Sequence, residues 1–115
     1  MGRMRFVGIG EVLWDMLPDG RKLGGAPANA AFHAHQLGAV GAVVSAVGCD
    51  PDGRDILAAL ESFGLRTETV AALERYPTGS VDVDLDAGGQ PEYRIHEGVA
   101  WDHVPALDAS LEVCA

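Results

Sequence analysis

Residues 23 to 48 read LGGAPANAAFHAHQLGAVGAVVSAVG, and this stretch decides the fold. It opens on the glycine pair Gly24-Gly25, passes through Pro27 to Asn29, and becomes an alanine-rich run that stops at Gly38. Proline suits a first helical position because it has no N–H to leave unpaired there, and glycine suits the stop. The spacing predicts a helix from about Pro27 to Leu37. Glycines just before a helix let a ligand approach bare main chain, and the first-turn N–H groups have no intrahelical partner. Asn29 lies on that turn, and its amide offers donors and an acceptor, which suits a pair of hydroxyls. Beyond Gly38, the β-branched and alanine-rich run Val40 to Val47 predicts a buried strand.

Upstream, Arg5 to Ile9 is a short apolar run ending in glycine, consistent with a buried parallel strand. Glu11 to Leu17 mixes apolar and acidic residues, and Pro18-Asp19-Gly20 is a turn signal. Downstream, Asp50 precedes Pro51, and Ile56, Leu57, Leu60 and Phe63 recur at helical spacing before Gly64, which predicts a capped amphipathic helix. Arg66 to Ala71 would be a third strand. Strand, helix, strand, helix in this order implies an α/β fold with a parallel sheet and right-handed crossovers.

From Gly79 the pattern alternates, with Val81, Val83 and Leu85 on one face and Ser80, Asp82, Asp84 and Asp86 on the other. Ala87-Gly88-Gly89-Gln90 reads as a hairpin loop, and Glu92 to His96 as the return strand, with Tyr93 and Ile95 opposed to Arg94 and His96. A hairpin with one wet face should project from a parallel sheet. Pro105 to Ala115 reads as the start of a further helix.

The 115 residues carry a net charge of −9, and 48% of them are apolar. One modest domain with a core is expected. Excess negative charge argues against nucleic acid or an anionic membrane as partner, since both would be repelled. Cys49 and Cys114 lack metal-ligand spacing, and MGRMRFVGIG runs directly into a strand pattern, so a cytoplasmic protein with reduced thiols is expected. His33 and His35 fall on different sides of their helix, Asp102-His103 lacks a supporting nucleophile motif, and Gly8-Ile9-Gly10 lacks the third glycine of a dinucleotide fingerprint. No metal ligand set is expected from this chain.

A glycine pair before a helix is by itself an ordinary turn. The whole spacing of Gly24-Gly25, Asn29, Ala31, Gly38 and Gly48 resembles the N-terminal signature of the PfkB carbohydrate kinases, the ribokinase-like family. GIGEVLWDMLP before it, VGCDPDG after it and PTGSVDVDLDAGGQPEYRI further on extend the resemblance over almost the entire chain, with a fructokinase-type flavour. The resemblance implies the N-terminal part of a ribokinase-like α/β fold: a parallel, Rossmann-like sheet with flanking helices and a small antiparallel β lid. Residues 1–115 would form that part, with lid segments at about 11–23 and 78–98. It places Asp15, Gly24, Gly25 and Asn29 on the sugar, with Tyr93, Arg94 and His96 as candidate contacts from the lid.

The implied activity is ATP-dependent phosphorylation of a sugar hydroxyl, with fructose first among the candidates, ahead of ribose, 2-keto-3-deoxygluconate and nucleosides. ATP and Mg2+ are expected for the complete enzyme, but no residue of this chain is identified as binding either. The sequence has no GxxxxGK(S/T) P-loop. Nor does it contain the family's second glycine-rich motif, Gly-Ala-Gly-Asp, which carries the catalytic aspartate; Asp50 in Gly48-Cys49-Asp50 reads as a helix cap. The chain is therefore expected to be the sugar-facing part of a kinase, inactive alone, and a homo-oligomer such as a dimer. The alternative is a non-catalytic sugar-binding or assembly module that associates through its open sheet edge or lid.

Overall fold

The computed structural model describes residues 4–105, in the order β1 (Arg5–Ile9), β2 (Leu13–Leu17), β3 (Gly20–Gly24), α1 (Ala26–Gln36), β4 (Val40–Gly48), α2 (Pro51–Ser62), β5 (Val70–Leu73), β6 (Gly79–Leu85), β7 (Pro91–Ile95) and a 3-10 turn (Ala100–His103). The further helix expected from Pro105 onward lies, after Pro105 itself, outside the described residues. Strand β4 is the centre of a parallel sheet ordered β1-β4-β5, and all its residues after Val40 are buried. A strand covered on both faces needs a nearly continuous apolar run, which its valines and alanines supply, and the one buried polar side chain, Ser45, donates to the Gly10 carbonyl.

Helix α1 begins one residue before the expected Pro27, because Gly25 serves as its N-cap with φ 113° and no side-chain cap bond. Its buried face is Ala28 and Ala31, small enough to bring the helix close to the sheet. At Gly41 of β4 an added Cβ would lie 2.8 Å from the Ala31 carbonyl oxygen. Helix α2 starts as its sequence predicts: the Asp50 carboxylate accepts from Gly53 N at 2.7 Å, and Ile56 and Leu60 are fully buried.

The third strand starts later than its sequence suggested. Arg66 makes an isolated parallel bridge to Ala42, and the chain then turns, with Val70 N donating to Thr67 O. The Thr69 hydroxyl donates to the Val43 carbonyl at 2.7 Å, so a side chain takes the place of a ladder bond and regular pairing begins only at Val70. The main core joins Val43, Val47, Ile56, Leu60 and Leu65 with Val12 and Trp14.

A second sheet, ordered β3-β2-β6-β7, stands beside the first. Its outer pairs, β2 with β3 and β6 with β7, are antiparallel, as the turn and hairpin signals predict. Its central pair, β2 with β6, is parallel, so the small sheet is mixed rather than wholly antiparallel. Leu13, Val81 and Val83 form its own small core. No helix among the described residues is long and apolar enough to cross a bilayer.

Candidate functional site

The register of the second sheet assembles the site. Asp15 of β2 lies opposite Val81 of β6, which lies opposite Ile95 of β7, and in the next row Val83 faces Tyr93. Directly opposed residues project to the same face. Asp15, Val81, Ile95, Val83 and Tyr93 therefore share one face. It borders a cavity of about 280 Å3 lined by Glu11, Leu13, Asp15, Gly25, Val81, Tyr93 and Ile95.

Neither Asp15 nor Glu11 has a side-chain hydrogen bond or ion pair among the described residues. The cavity thus presents carboxylate acceptors among apolar walls, and it complements a ligand rich in hydroxyl donors. Gly24 and Gly25 shape it from behind. A Cβ on Gly24 would stand 2.5 Å from Asp15 Oδ2, and one on Gly25 would stand 2.5 Å from the Glu11 carbonyl oxygen. The glycines are thus required by close approach of the protein's own atoms.

The residues singled out in the sequence divide between faces. Asp15, Gly25 and Tyr93 line the cavity, with Gly24 packed against Asp15. Arg94 and His96 project from the opposite face of the hairpin. There Arg94 Nη2 lies 3.1 Å from Asp84 Oδ2, and His96 Nε2 lies 2.9 Å from Asp82 Oδ2. Asn29 is one helical turn past Gly25, to whose carbonyl its main-chain N–H donates. It lines a separate, mostly apolar cleft of about 310 Å3 with Lys22, Leu23, Phe32, His33 and Phe63 among its walls.

Glu11 was not singled out in the sequence, although it was legible: at strand spacing Glu11, Leu13 and Asp15 fall on one face. Val81 and Ile95 were visible as an apolar stripe without an indication of what the stripe faced.

Other polar groups are committed to structure. The Asp50 carboxylate accepts from Gly53 N, from Thr78 N at 3.0 Å and from the Thr78 hydroxyl at 2.6 Å. Desolvation pulls its pKa upward, but the bonds from Thr78 and Gly53, with the charge of Arg54, outweigh it and hold the pKa below the ordinary value. Asp102 accepts from Gly98 N at 3.0 Å, and His103 stacks on Tyr76 with ring centroids 3.6 Å apart. Each of that neighbouring pair has its own structural partner.

Solved structures of ribokinase-like sugar kinases superpose on this parallel α/β layer and its four-stranded sheet. The pfkB family carbohydrate kinase model matches residues 19–113, and the chain belongs to that family. It is 31% identical to an uncharacterized sugar kinase of Pyrococcus horikoshii, over 91% of this chain and 37% of the relative. It is 36% identical to the fructokinase of Salmonella typhimurium, over 71% of this chain and 28% of the relative. The crystal structure of a Xylella fastidiosa fructokinase with bound ATP matches at a TM-score of 0.80 and 26% identity, over 95% of this chain and 36% of that one. The chain spans about a third of the length of the relatives it matches.

Proposed function

We propose that this chain forms the acceptor side of a sugar kinase that transfers a phosphoryl group from ATP to a sugar hydroxyl, with fructose as the first substrate to test. The observation that carries this reading is the Asp15 carboxylate, unpaired among the described residues, lining a cavity backed by Gly24 and Gly25 in a chain of the PfkB family. Asp15 accepts from adjacent sugar hydroxyls and Gly25 admits the sugar to the main chain; Asn29, which lines the neighbouring cleft but is tied by its main-chain N–H to the Gly25 carbonyl, would have to turn its amide past Gly25 to reach the same sugar. Tyr93 covers the sugar from the second sheet, which acts as the lid, with segments at about 11–23 and 78–98.

A closed lid excludes water, which would otherwise compete as acceptor. Phosphoryl transfer is otherwise positioning and electrostatics. In this reading the contribution of the chain is to bind and orient the acceptor, while ATP and Mg2+ are held by the rest of the complete enzyme.

The test is phosphorylation by the full gene product of fructose, ribose, 2-keto-3-deoxygluconate and nucleosides, with binding measured for Asp15→Ala and Asn29→Ala. Both substitutions should weaken sugar binding far more than ATP binding. Equal losses for the two ligands would sink the assignment.

A second reading, an assembly module, is favoured by one observation: Leu85, Tyr93 and Ile95 leave an apolar stripe exposed on β6 and β7, with β7 at a sheet edge. A homo-oligomer would cover it. A clean monomer by light scattering at micromolar concentration would count against that reading.

A further inference from the structure

The polar ties that join β2 and β3 to α2 gather around two stacked side chains, Arg21 and Trp14. Arg21 of β3 places its guanidinium 4.1 Å from the centroid of the Trp14 ring. Its Nη1 lies 2.7 Å from Asp52 Oδ1, and its Nη2 lies 2.5 Å from Asp55 Oδ2. The Trp14 indole N–H donates in turn to the Asp52 carbonyl at 3.0 Å. Asp52 and Asp55 are three residues apart on α2 and so lie on one side of the helix, where a planar fork reaches both.

Each of these ion pairs is largely exposed, and a single exposed pair contributes little. Here two pairs share a cation that also stacks on an indole only 8% exposed, so the geometry of each fixes the others. Trp14 and Asp15 are successive residues of β2. Their side chains leave opposite faces of the strand: the indole goes to α2, and the carboxylate goes to the cavity.

We propose that Arg21 is a positioning residue for the sugar site: by clamping Trp14 to Asp52 and Asp55 it fixes how β2, and with it Asp15, stands over the first layer. The proposal rests on the sugar-kinase reading for its effect on binding, but the clamp itself can be read without a ligand. A lysine offers a point charge in place of a fork and cannot span both carboxylates while stacked.

The experiment compares Arg21→Gln, Arg21→Lys and Asp55→Asn in the intact protein by amide hydrogen exchange over residues 13–24 and by fructose and ATP titration. Exchange over 13–24 should accelerate roughly three- to tenfold in Arg21→Gln, the range expected for losing a stacked cation and its pairs. Asp55→Asn should show a smaller change of the same sign, and Arg21→Lys should fall between Arg21→Gln and the parent. Fructose affinity should fall by a similar factor, with ATP affinity unchanged. Unchanged exchange in Arg21→Gln overturns the clamp, and so does full rescue by Arg21→Lys. Faster exchange with unchanged fructose affinity overturns its role in positioning. Should the parent bind no sugar, the kinase reading fails while exchange still decides the clamp.

Discussion

Gly24 and the carboxylate of Asp15 occupy adjoining space so closely that a Cβ on Gly24 would stand 2.5 Å from Asp15 Oδ2 and 3.1 Å from Leu13 Cδ1. Gly24→Ala should therefore push the carboxylate off its position without removing it. Displacing a binding group by about 1 Å can cost up to about a hundredfold. If the protein binds fructose as proposed, at least a tenfold loss of fructose affinity is expected by calorimetry, roughly within that bound. In an Asp15→Ala background, where the obstacle is gone, the same glycine change should cost less than about twofold; additive losses would show that Gly24 acts by another route.

The two faces of the β6–β7 hairpin make opposite forecasts. Tyr93 borders the cavity, whereas Arg94 and His96 are paired with Asp84 and Asp82 on the other side. Tyr93→Ala should weaken sugar binding by roughly two- to tenfold, the span of one aromatic contact. Arg94→Ala and His96→Ala should each change it by less than about twofold, because exposed pairs contribute little. A titration series over the three variants checks the assignment of faces, and a large loss at Arg94 would reverse it.

Much of this architecture was legible because its signals are local. Gly38 after an alanine-rich run, Asp50 before Pro51, and the valine-rich Val40–Gly48 each carry their own stereochemical reason, and the corresponding elements formed within a residue or two. What was not legible depends on partners distant in sequence. The parallel pairing of β2 with β6 settles which face of the hairpin meets Asp15, and no residue near Tyr93 encodes it. The late start of β5 arises from the Thr69 hydroxyl reaching the Val43 carbonyl, a choice made only once β4 is in place. The separation of Asn29 from the cavity of Asp15 likewise reflects the seating of α1, which spacing along the chain does not report.

The main core should be sensitive at Leu60, which is fully buried where α2 meets the sheet and also borders the apolar cleft. Leu60→Ala should cost about 2–5 kcal/mol of unfolding free energy, and Ile56→Val about 0.5–1.5 kcal/mol. Partial collapse of the neighbouring cleft would bring Leu60→Ala toward the low end. Urea unfolding followed by circular dichroism gives both values, with an unchanged denaturant slope as the check on the native state.

Acid should act on this fold through Asp50. Its carboxylate caps α2 and also holds Thr78, where the chain leaves the first layer for β6. Because its folded pKa lies below the ordinary value of 3.8, the ionised group stabilises the fold fully above that pH. That contribution is lost as pH falls from about 4 through the folded pKa. Asp50→Ala should cost roughly 2–4 kcal/mol near neutrality, from the lost cap together with an unpaired Thr78 N–H. Asp50→Asn keeps a capping oxygen but turns an amide donor toward one of its former donors, so it should fall between the parent and Asp50→Ala. It should also flatten the acid limb of stability, since position 50 no longer titrates. Urea midpoints measured from pH 3 to pH 7 separate the two effects: a parent and an Asp50→Asn protein with the same acid limb would mean that the Asp50–Thr78 tie contributes nothing to acid sensitivity.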